Sequence, residues 1–306
     1  MSVLKVIMIG DIVGEPGLAA LEKKLPLLIK EHAADFVVVN GENAAEGFGL
    51  TEASYKRILA AGADVVTSGN HIWEKRDFWP FLDTDNRILR PANYPAGSPG
   101  RGWVLLEKNR NIAGPAAGEE PVGEEPAGAG NSADAGSSAI SWLVVNLQGR
   151  EFMASTDCPF RCFDTVLETS GAAGGAGETQ ASPARSGPIV LVDFHAESTR
   201  EKESLAYYID GRVSLMAGTH THVQTADERV LPGGTAYITD LGMTGVANSV
   251  IGMDPKICLE RVRKQILYRM EVAAEGNDAP ATVQGVVAKI DAETGRALAI
   301  QRLGNT

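Results

Sequence analysis

LKVIMIGDIVGEPGLAALEKKLPLLIKEHAADFVVVNGEN, residues 4–43, contains the pattern that sets the fold class. Its first run, Leu4 to Ile9, and its last, Phe36 to Val39, are short, apolar and rich in β-branched residues, as buried strands are. Between them, leucines recur at the spacing of one helical face, at Leu18, Leu21, Leu25 and Leu28. A strand, a helix and a second strand in this order are typical of an α/β fold.

The alternation of strand and helix continues along the chain. Further short apolar runs predict buried strands at Val65 to Thr67, Trp142 to Val145, Ile189 to Phe194, Ser214 to Ala217 and Tyr237 to Thr239. Thr51 is placed to cap a helix that runs through Ala60, and Asp254-Pro255 is placed to begin another. We therefore expect helices between several of the strands.

Two stretches of unusual composition interrupt these elements. Residues at about 111–138 and 170–187 are rich in Gly, Ala, Pro, Glu and Ser and hold almost no large apolar residue. Such segments cannot bury enough surface to offset their ordering entropy, so we expect low-complexity insertions. Candidate site residues lie on both sides of them, so residues 1–306 are expected to form one domain. Near the end, 282–290 and 296–303 flank a turn, which predicts a hairpin.

Length and charge exclude several classes of function. A chain of 306 residues that is 44% hydrophobic is long enough for a large core. No apolar run of about 20 residues is present to span a bilayer, and residues 1–10 lack a secretory signal, which favours the cytoplasm. The net charge of −11, without a cluster of Lys and Arg, argues against binding of polymeric nucleic acid. A small phosphate can still bind where metal ions supply positive charge.

Side chains that can bind metals follow five of the predicted strands. They occur in the motifs Gly10-Asp11, Glu42-Asn43, Gly69-Asn70-His71, His195 and Gly218-Thr219-His220-Thr221-His222. Because ligands of open α/β sheets bind beyond the carboxyl ends of the strands, these loops can converge on one cleft. Carboxylate, amide and imidazole groups together suit Mn, Fe, Zn or Co better than calcium, which prefers oxygen alone. Two such ions fit the number of ligands.

Each of these residues has a simpler interpretation when it is taken alone. One Asp or one His after a strand more often caps a turn or satisfies a local hydrogen bond. Seven ligand-competent side chains after five strands are difficult to explain in that way, so the pattern predicts metal binding. His32, the one histidine outside these positions, lies near the end of a polar predicted helix and is expected to have no catalytic role.

These motifs, in this order, resemble the calcineurin-like metallophosphoesterases, and most closely their YmdB-like branch. The resemblance covers most of the chain outside the insertions and includes the longer runs 40–50, 89–102, 146–153, 192–197 and 218–245. Two departures from the general pattern are shared with that branch: Val13 stands where the first motif has a His, and Glu42-Asn43 where the second has an Asp. The resemblance implies an αββα sandwich of two mixed β-sheets flanked by helices.

The resemblance also implies a set of metal ligands. One ion would be held by Asp11, Glu42, Asn43 and His222, and the other by Glu42, Asn70, His195 and His220. Glu42 would bridge the pair, because the two oxygens of a carboxylate can span ions about 3.5–4 Å apart. Two divalent ions per chain are expected, with iron or manganese as the metal. Since only two of the ligands are anionic, the site would stay positive and attract phosphate.

His71, directly after Asn70, is implied to be the general acid that protonates the leaving oxygen, a task that suits an imidazole near neutral pH. A histidine that only orients a ligand is the alternative. The resemblance further implies a metal-dependent phosphoric diester hydrolase that uses a metal-bridging hydroxide on small phosphodiesters of the 2′,3′-cyclic nucleotide type. This substrate class rests on the resemblance, since the sequence has no motif for reading a base.

Other functions remain compatible with the sequence. A regulatory protein could bind a cyclic nucleotide or a partner in the same cleft with slow turnover, and a phosphomonoesterase could use the same fold and metals. A nucleotide-binding module is disfavoured, because Gly10, Gly14 and Gly17 lack the Gly-x-Gly-x-x-Gly spacing. No membrane partner is expected, and formation of a homo-oligomer is compatible with the sequence.

Overall fold

A computed structural model of the chain describes residues 2–109, 139–172, 187–276 and 279–304. The α-helices are α1 (Gly14–His32), α2 (Glu52–Ala60), α3 (Trp79–Leu82), α4 (Pro159–Thr169), α5 (Thr199–Ile209) and α6 (Pro255–Lys264). Short 3-10 helices cover Asn70–Trp73 and Arg76–Phe78. Within the described ranges, no helix combines the length and the apolar character needed to cross a bilayer. The predicted insertion at 111–138 lies outside the described residues, and the one at 170–187 does so from 173 to 186.

The strands alternate with these helices in chain order. They are β1 (Val3–Ile9), β2 (Asp11–Ile12), β3 (Phe36–Asn40), β4 (Val65–Thr67), β5 (Trp103–Lys108), β6 (Ile140–Gln148), β7 (Ile189–His195), β8 (Leu215–Thr219), β9 (Arg229–Val230), β10 (Ala236–Ile238), β11 (Met243–Val246), β12 (Ala281–Thr282), β13 (Gly285–Asp291) and β14 (Ala297–Leu303). The mixed α/β class predicted from residues 4–43 is confirmed.

The strands form two large mixed sheets and one small sheet. The first large sheet has the order β14-β13-β1-β3-β4, in which β1, β3 and β4 are parallel and β13 is antiparallel to β1. The second has the order β5-β6-β7-β8-β10-β9, with a parallel centre from β6 to β10 and antiparallel strands at both edges. The small sheet has the order β12-β11-β2.

Three apolar layers hold these elements together. The layer between the large sheets contains side chains from both, including Val6, Met8, Phe36, Val38, Trp142, Val144, Leu191 and Leu215. The outer face of the first sheet packs against α1 and α2 through residues such as Leu21, Leu25, Tyr55 and Ile58. The outer face of the second sheet packs against α4 and α5 through residues such as Phe163, Val166, Leu205 and Ile209. The order helix, sheet, sheet, helix is the expected αββα sandwich.

The predicted helix starts are correct at the level of individual hydrogen bonds. Thr51 Oγ1 accepts a hydrogen bond from the Ser54 backbone N at 3.2 Å, and Ser54 Oγ accepts one from the Thr51 backbone N at 3.0 Å, which is a capping box. Asp254 Oδ1 accepts hydrogen bonds from the first amides of α6 at 2.8 and 3.0 Å. These local contacts set where α2 and α6 begin.

Several strands extend further than their apolar patterns predicted, and two of them, β7 and β8, carry residues of the candidate site. β7 continues through His195 rather than ending at Phe194, and β8 continues through Thr219 rather than ending at Ala217. The reason is the parallel ladder between them, in which His195 is paired with Thr219. Backbone pairing therefore holds His195 in a sheet, and not in a loop.

Candidate metal centre

The layer between the two large sheets changes from apolar to polar at the carboxyl ends of the parallel strands. On β7, Ile189 and Leu191 lie in the apolar layer, and Asp193 and His195 follow on the same face because alternate residues of a strand share a face. On β3, Asn40 occupies the corresponding terminal position and is 1% exposed. Both sheets therefore place polar side chains in one buried region.

Three ligand-type atoms surround Nε2 of His195. This nitrogen lies 3.0 Å from His220 Nδ1, 3.1 Å from Glu42 Oε1 and 3.1 Å from Asn70 Oδ1. Glu42 and His195 are both fully buried. Glu42, His195 and His220 each offer one ligand atom, and these three atoms lie within 4.8 Å of one another. Such an arrangement can hold a metal ion.

A second group of candidate ligand residues lies beside the first. Asn43 Nδ2 is 3.1 Å from His222 Nε2 and 3.2 Å from Glu42 Oε1. Asp11 Oδ2 accepts a hydrogen bond from the backbone N of His220 at 3.2 Å. The structure thus brings together all seven residues that the sequence singled out as candidate ligands, in two adjoining groups that meet at Glu42.

A hydrogen-bonded chain fixes the orientation of the His195 ring. His195 Nδ1 lies 3.0 Å from Thr219 Oγ1, and this hydroxyl donates its own proton to Asp193 Oδ1 at 2.7 Å. Thr219 Oγ1 therefore accepts from Nδ1, so Nε2, the atom that faces Glu42, is the nitrogen that can bind a metal ion in place of a proton. Asp193 also accepts hydrogen bonds from Thr67 Oγ1 at 2.5 Å and Asn40 Nδ2 at 3.1 Å.

The other two histidines are anchored in the same way. His222 Nδ1 lies 2.8 Å from the carbonyl oxygen of Ile251, which can only accept, so Nδ1 carries the proton and Nε2 the lone pair. His220 Nε2 lies 3.2 Å from Glu197 Oε2, so its other nitrogen, Nδ1, faces His195. A ring N–H directed at a carboxylate, carbonyl or hydroxyl is the usual arrangement for histidines that bind metals.

Two buried oxygens of the cluster fit a cation, because neither has a hydrogen-bond donor among the described residues. They are Asp11 Oδ1 and Asn43 Oδ1. Burial raises the pKa of Asp11 to about 7, since a carboxylate removed from water is costly to keep charged. Burial alone would lower the pKa of His195, yet the neighbouring Glu42 and Asp11 raise it to about 9. The region therefore attracts positive charge, as a divalent ion site does.

The loop that carries His220 and His222 has a strained backbone. Their φ angles are 103° and 63°, in the left-handed region that side chains other than glycine rarely adopt. The amide of Thr221 between them donates to Asp240 Oδ2 at 3.1 Å, and the same oxygen is 2.7 Å from Lys202 Nζ. Lys202 and Asp240 are both fully buried. This ion pair helps to hold the histidine loop in its conformation.

Gly69 has no room for a side chain. A Cβ at this position would lie 2.1 Å from His195 Cδ2 and 2.4 Å from Glu42 Oε2. Its φ of −148° is accessible to any residue, so the requirement for glycine comes from crowding and not from backbone strain. The close approach allows the short 3-10 helix that starts at Asn70 to lie directly against the cluster.

His71 lies at the rim of the cluster. Its backbone N donates to Glu42 Oε2 at 3.2 Å, and its side chain is 27% exposed. Nδ1 is 3.5 Å from Glu74 Oε1, and the ring meets Phe48 edge-on with 5.1 Å between the ring centroids. The ring is therefore beside the candidate ligands and still open to a bound molecule.

Sequence reasoning missed several residues that support the site. Asp193 could have been found, because it lies two residues before His195 in a buried strand and so on the same face. Asp240 carried a similar signal, because it directly follows the strand predicted at Tyr237 to Thr239. Lys202 gave none, since a Lys in a helix is an ordinary surface residue in most sequences. Their pairing depends on how α5 lies against the end of β10.

Two mixed sheets packed face to face, with carboxylate, amide and imidazole groups at the carboxyl ends of their strands, define a fold of the metallophosphoesterase class. The family described as YmdB-like protein matches residues 7–114 and 122–303, and the chain belongs to it.

Three known proteins show the extent of this relationship. A Bacillus subtilis (strain 168) protein named 2′,3′-cyclic-nucleotide 2′-phosphodiesterase is 39% identical over 300 residues, covering 98% of this chain and 96% of that protein. A crystal structure of a hypothetical protein from Thermus thermophilus has 35% identity and a TM-score of 0.74, with 98% of each chain covered. The structure of a novel phosphatase from Mycoplasma pneumoniae has 27% identity and a TM-score of 0.79, covering 99% of this chain and 93% of that one. The chain is a hydrolase of the phosphatase and phosphodiesterase class.

Proposed function

We propose that the chain is a two-metal phosphodiesterase that hydrolyses small phosphodiesters of the 2′,3′-cyclic nucleotide type. The observation that carries this proposal is the pair of candidate ligand groups that meet at Glu42. In these groups, His195, His220 and His222 each have one ring nitrogen in contact with a polar partner and the other directed toward the cluster. The substrate type is supported by the Bacillus relative that is 39% identical over nearly the whole chain.

The proposed ligands divide between the two ions as the resemblance to the YmdB-like branch implies. One ion would be held by Asp11, Glu42, Asn43 and His222, and the other by Glu42, Asn70, His195 and His220. Glu42 is suited to bridge them, because its Oε1 is 3.1 Å from His195 Nε2 and 3.2 Å from Asn43 Nδ2. Imidazole, amide and carboxylate ligands suit iron or manganese, which we propose as the metals.

The ions, when bound, would supply Lewis acidity, which lowers the pKa of water and neutralises charge on the phosphate oxygens. Asp11 and Glu42 are the two anionic side chains among the proposed ligands, so two divalent ions would leave the centre positive. That local charge would let a protein with a net charge of −11 bind an anionic substrate.

His71 is the proposed general acid. Its ring lies beside the cluster and is partly exposed, so its proton can reach the oxygen that leaves phosphorus. The hydrogen bond from its backbone N to Glu42 Oε2 fixes the position of the residue relative to the ligands. Glu74, 3.5 Å from Nδ1, is close enough to attract a protonated ring.

The test is hydrolysis of 2′,3′-cyclic AMP by chelator-treated protein before and after reconstitution with Mn²⁺ or Fe²⁺. We expect release of adenosine monophosphate only after reconstitution, with two ions per chain by elemental analysis. Adenosine 2′- and 3′-monophosphate serve as monoester substrates in parallel. His32, the last residue of α1, supplies a matched control, since His32→Ala should leave turnover unchanged.

Two outcomes would contradict the proposal. Faster hydrolysis of the monoesters than of the cyclic diester would indicate a phosphomonoesterase. No turnover of either substrate by protein that holds two ions would indicate a regulatory binding protein.

A further inference from the structure

A cavity of about 320 Å³ lies close to His71. It is lined by Glu46, Phe48, Glu74, Lys75, Arg261, Tyr268, Arg269 and Met270. Two of the lining residues, Phe48 and Glu74, contact the ring of His71 directly, at 5.1 Å between centroids and 3.5 Å to Nδ1. The wall of this cavity therefore contacts the ring of His71, which lies at the rim of the metal centre.

The position of the cavity determines which part of a substrate can enter it. If His71 protonates the leaving oxygen, the phosphorus lies over the metal centre and the organic group on that oxygen lies next to the His71 ring, close to the cavity wall that contacts this ring. In a 2′,3′-cyclic nucleotide, the leaving oxygen belongs to the ribose that carries the base. The base is then directed into the cavity.

The charged side chains of the cavity are not equally free to bind a ligand. Lys75 Nζ is paired with Glu46 Oε2 at 2.9 Å, and Arg261 Nη1 donates to the carbonyl oxygen of Tyr268 at 3.1 Å. Arg269 is exposed, and its interaction with Glu46 is an electrostatic attraction without a hydrogen bond. It donates no hydrogen bond to any residue in the described ranges. Among the described residues, its guanidinium is the cation of this wall that keeps all of its N–H donors for a bound molecule, whereas Arg261 already uses one of them.

We propose that this cavity binds the base of a nucleotide substrate, with Arg269 donating to acceptor atoms on the base edge and Tyr268 contacting its face. This rests on the proposed function and adds a site for substrate specificity to it. The volume of about 320 Å³ is within the range of small-molecule sites. An arginine that donates to ring nitrogen and carbonyl oxygen, together with an aromatic surface, is the usual chemistry of base binding.

The experiment compares two substrates that differ only in the base. They are 2′,3′-cyclic AMP and the 2′,3′-cyclic phosphate of methyl β-ribofuranoside, both assayed with the Mn²⁺-reconstituted protein. Arg269→Ala and Tyr268→Ala should each lower kcat/KM for cyclic AMP by about tenfold, and leave kcat/KM for the base-free substrate within about twofold. Metal content should not change in either variant.

Arg263→Ala is the matched control. Arg263 lies on α6, and its side chain is 67% exposed and pairs with Glu260. It does not line the cavity. It should behave as the wild type with both substrates. Equal losses for the two substrates in Arg269→Ala, or no loss for either, would overturn the proposal.

A binding measurement separates this proposal from the proposed function. Calorimetric titration of the Mn²⁺-loaded protein with adenosine 3′-monophosphate and with ribose 3′-phosphate needs no turnover. Weaker binding of the adenosine compound alone in Arg269→Ala would support the base site even if the wild type hydrolyses no diester. Unchanged binding of both compounds would reject the base site, whatever the wild type hydrolyses.

Discussion

His195 Nδ1 and Thr219 Oγ1 lie 3.0 Å apart, and this contact decides which ring nitrogen of His195 faces the metal centre. Thr219 can accept because its own proton is committed to the buried carboxylate of Asp193. Strand pairing places His195 beside Thr219, and strand alternation places Asp193 on the same face as His195. The orientation of a candidate ligand thus follows from the packing of two strands.

Thr219→Val should weaken metal binding by about 10–100-fold, because it removes the acceptor for His195 Nδ1 while keeping the side-chain shape. The change is measured by titration of chelator-treated protein with Mn²⁺. Thr221→Val, two residues further on in the more exposed part of the loop, is the matched control and should bind metal normally. Equal affinity in the two variants would show that the contact with Thr219 does not orient His195.

His71→Ala should lower turnover of 2′,3′-cyclic AMP by about 10²–10⁴-fold and leave two ions per chain, because the residue is proposed to donate a proton and not to bind metal. Turnover and elemental analysis are measured on the same sample. Loss of metal in the variant would mean that the ring of His71 supports the ligands instead.

Gly69→Ala should abolish metal binding. The added Cβ would lie within 2.4 Å of both His195 and Glu42 and would displace one of them. Gly276→Ala is the matched control, because nothing lies within 4 Å of its added Cβ. Metal content and melting temperature are measured for both. A Gly69→Ala variant with normal metal content would show that the cluster adjusts to a larger residue at this position.

Lys202→Met should destabilise the folded chain by about 3–5 kcal/mol, because it leaves the carboxylate of Asp240 buried without its cation. The double variant Lys202→Met/Asp240→Asn should recover part of this loss, since no unpaired charge is then buried. Urea unfolding gives the free energy of unfolding of each protein. The exposed pair of Lys56 and Glu52 supplies the control: Lys56→Met should cost less than about 1 kcal/mol. Similar costs for the two lysines would refute a buried, structural ion pair at Lys202.

Asp227 should make stability depend on pH in the acid range. Burial alone would raise the pKa of this carboxyl, but hydrogen bonds from Thr225 Oγ1 and Thr239 Oγ1, both at 2.6 Å, hold the pKa below its usual 3.8. A carboxylate with a lowered pKa stabilises the folded state above the unfolded pKa, and that stabilisation is lost as pH falls through the folded pKa.

The substitution Asp227→Asn should therefore lower the free energy of unfolding at neutral pH, and the difference from the wild type should shrink as the pH falls below about 4. Urea unfolding at several values between about pH 3 and 7 measures this. A difference that stays constant over that range would show that the effect comes from shape and hydrogen bonding and not from charge.

Much of the fold could be predicted because its signals are local. Thr51 and Asp254 indicate helix starts through the chemistry of their own side chains, and the structure confirms both caps. Helices α4 and α5 were not predicted, although Phe163, Val166 and Leu167 of α4 recur at helical spacing and form the face that packs against the second sheet. The residues at which β7 and β8 end depend on the pairing of the two strands, so they could not be predicted from the sequence of either strand alone.

The chemical character of the site was determined by the sequence by itself. Asp11, Asn70 and His195 each follow or end a short apolar strand, and the carboxyl ends of parallel strands meet at one edge of a sheet whatever the details of packing. What only the tertiary structure decided is which atoms meet. Asn40 contacts Asp193 across 153 residues of chain, and such distances are set by the packing of two sheets and not by any local property. The ring orientations of the histidines, the buried pair at Lys202 and the cavity beside His71 are decided by the same packing.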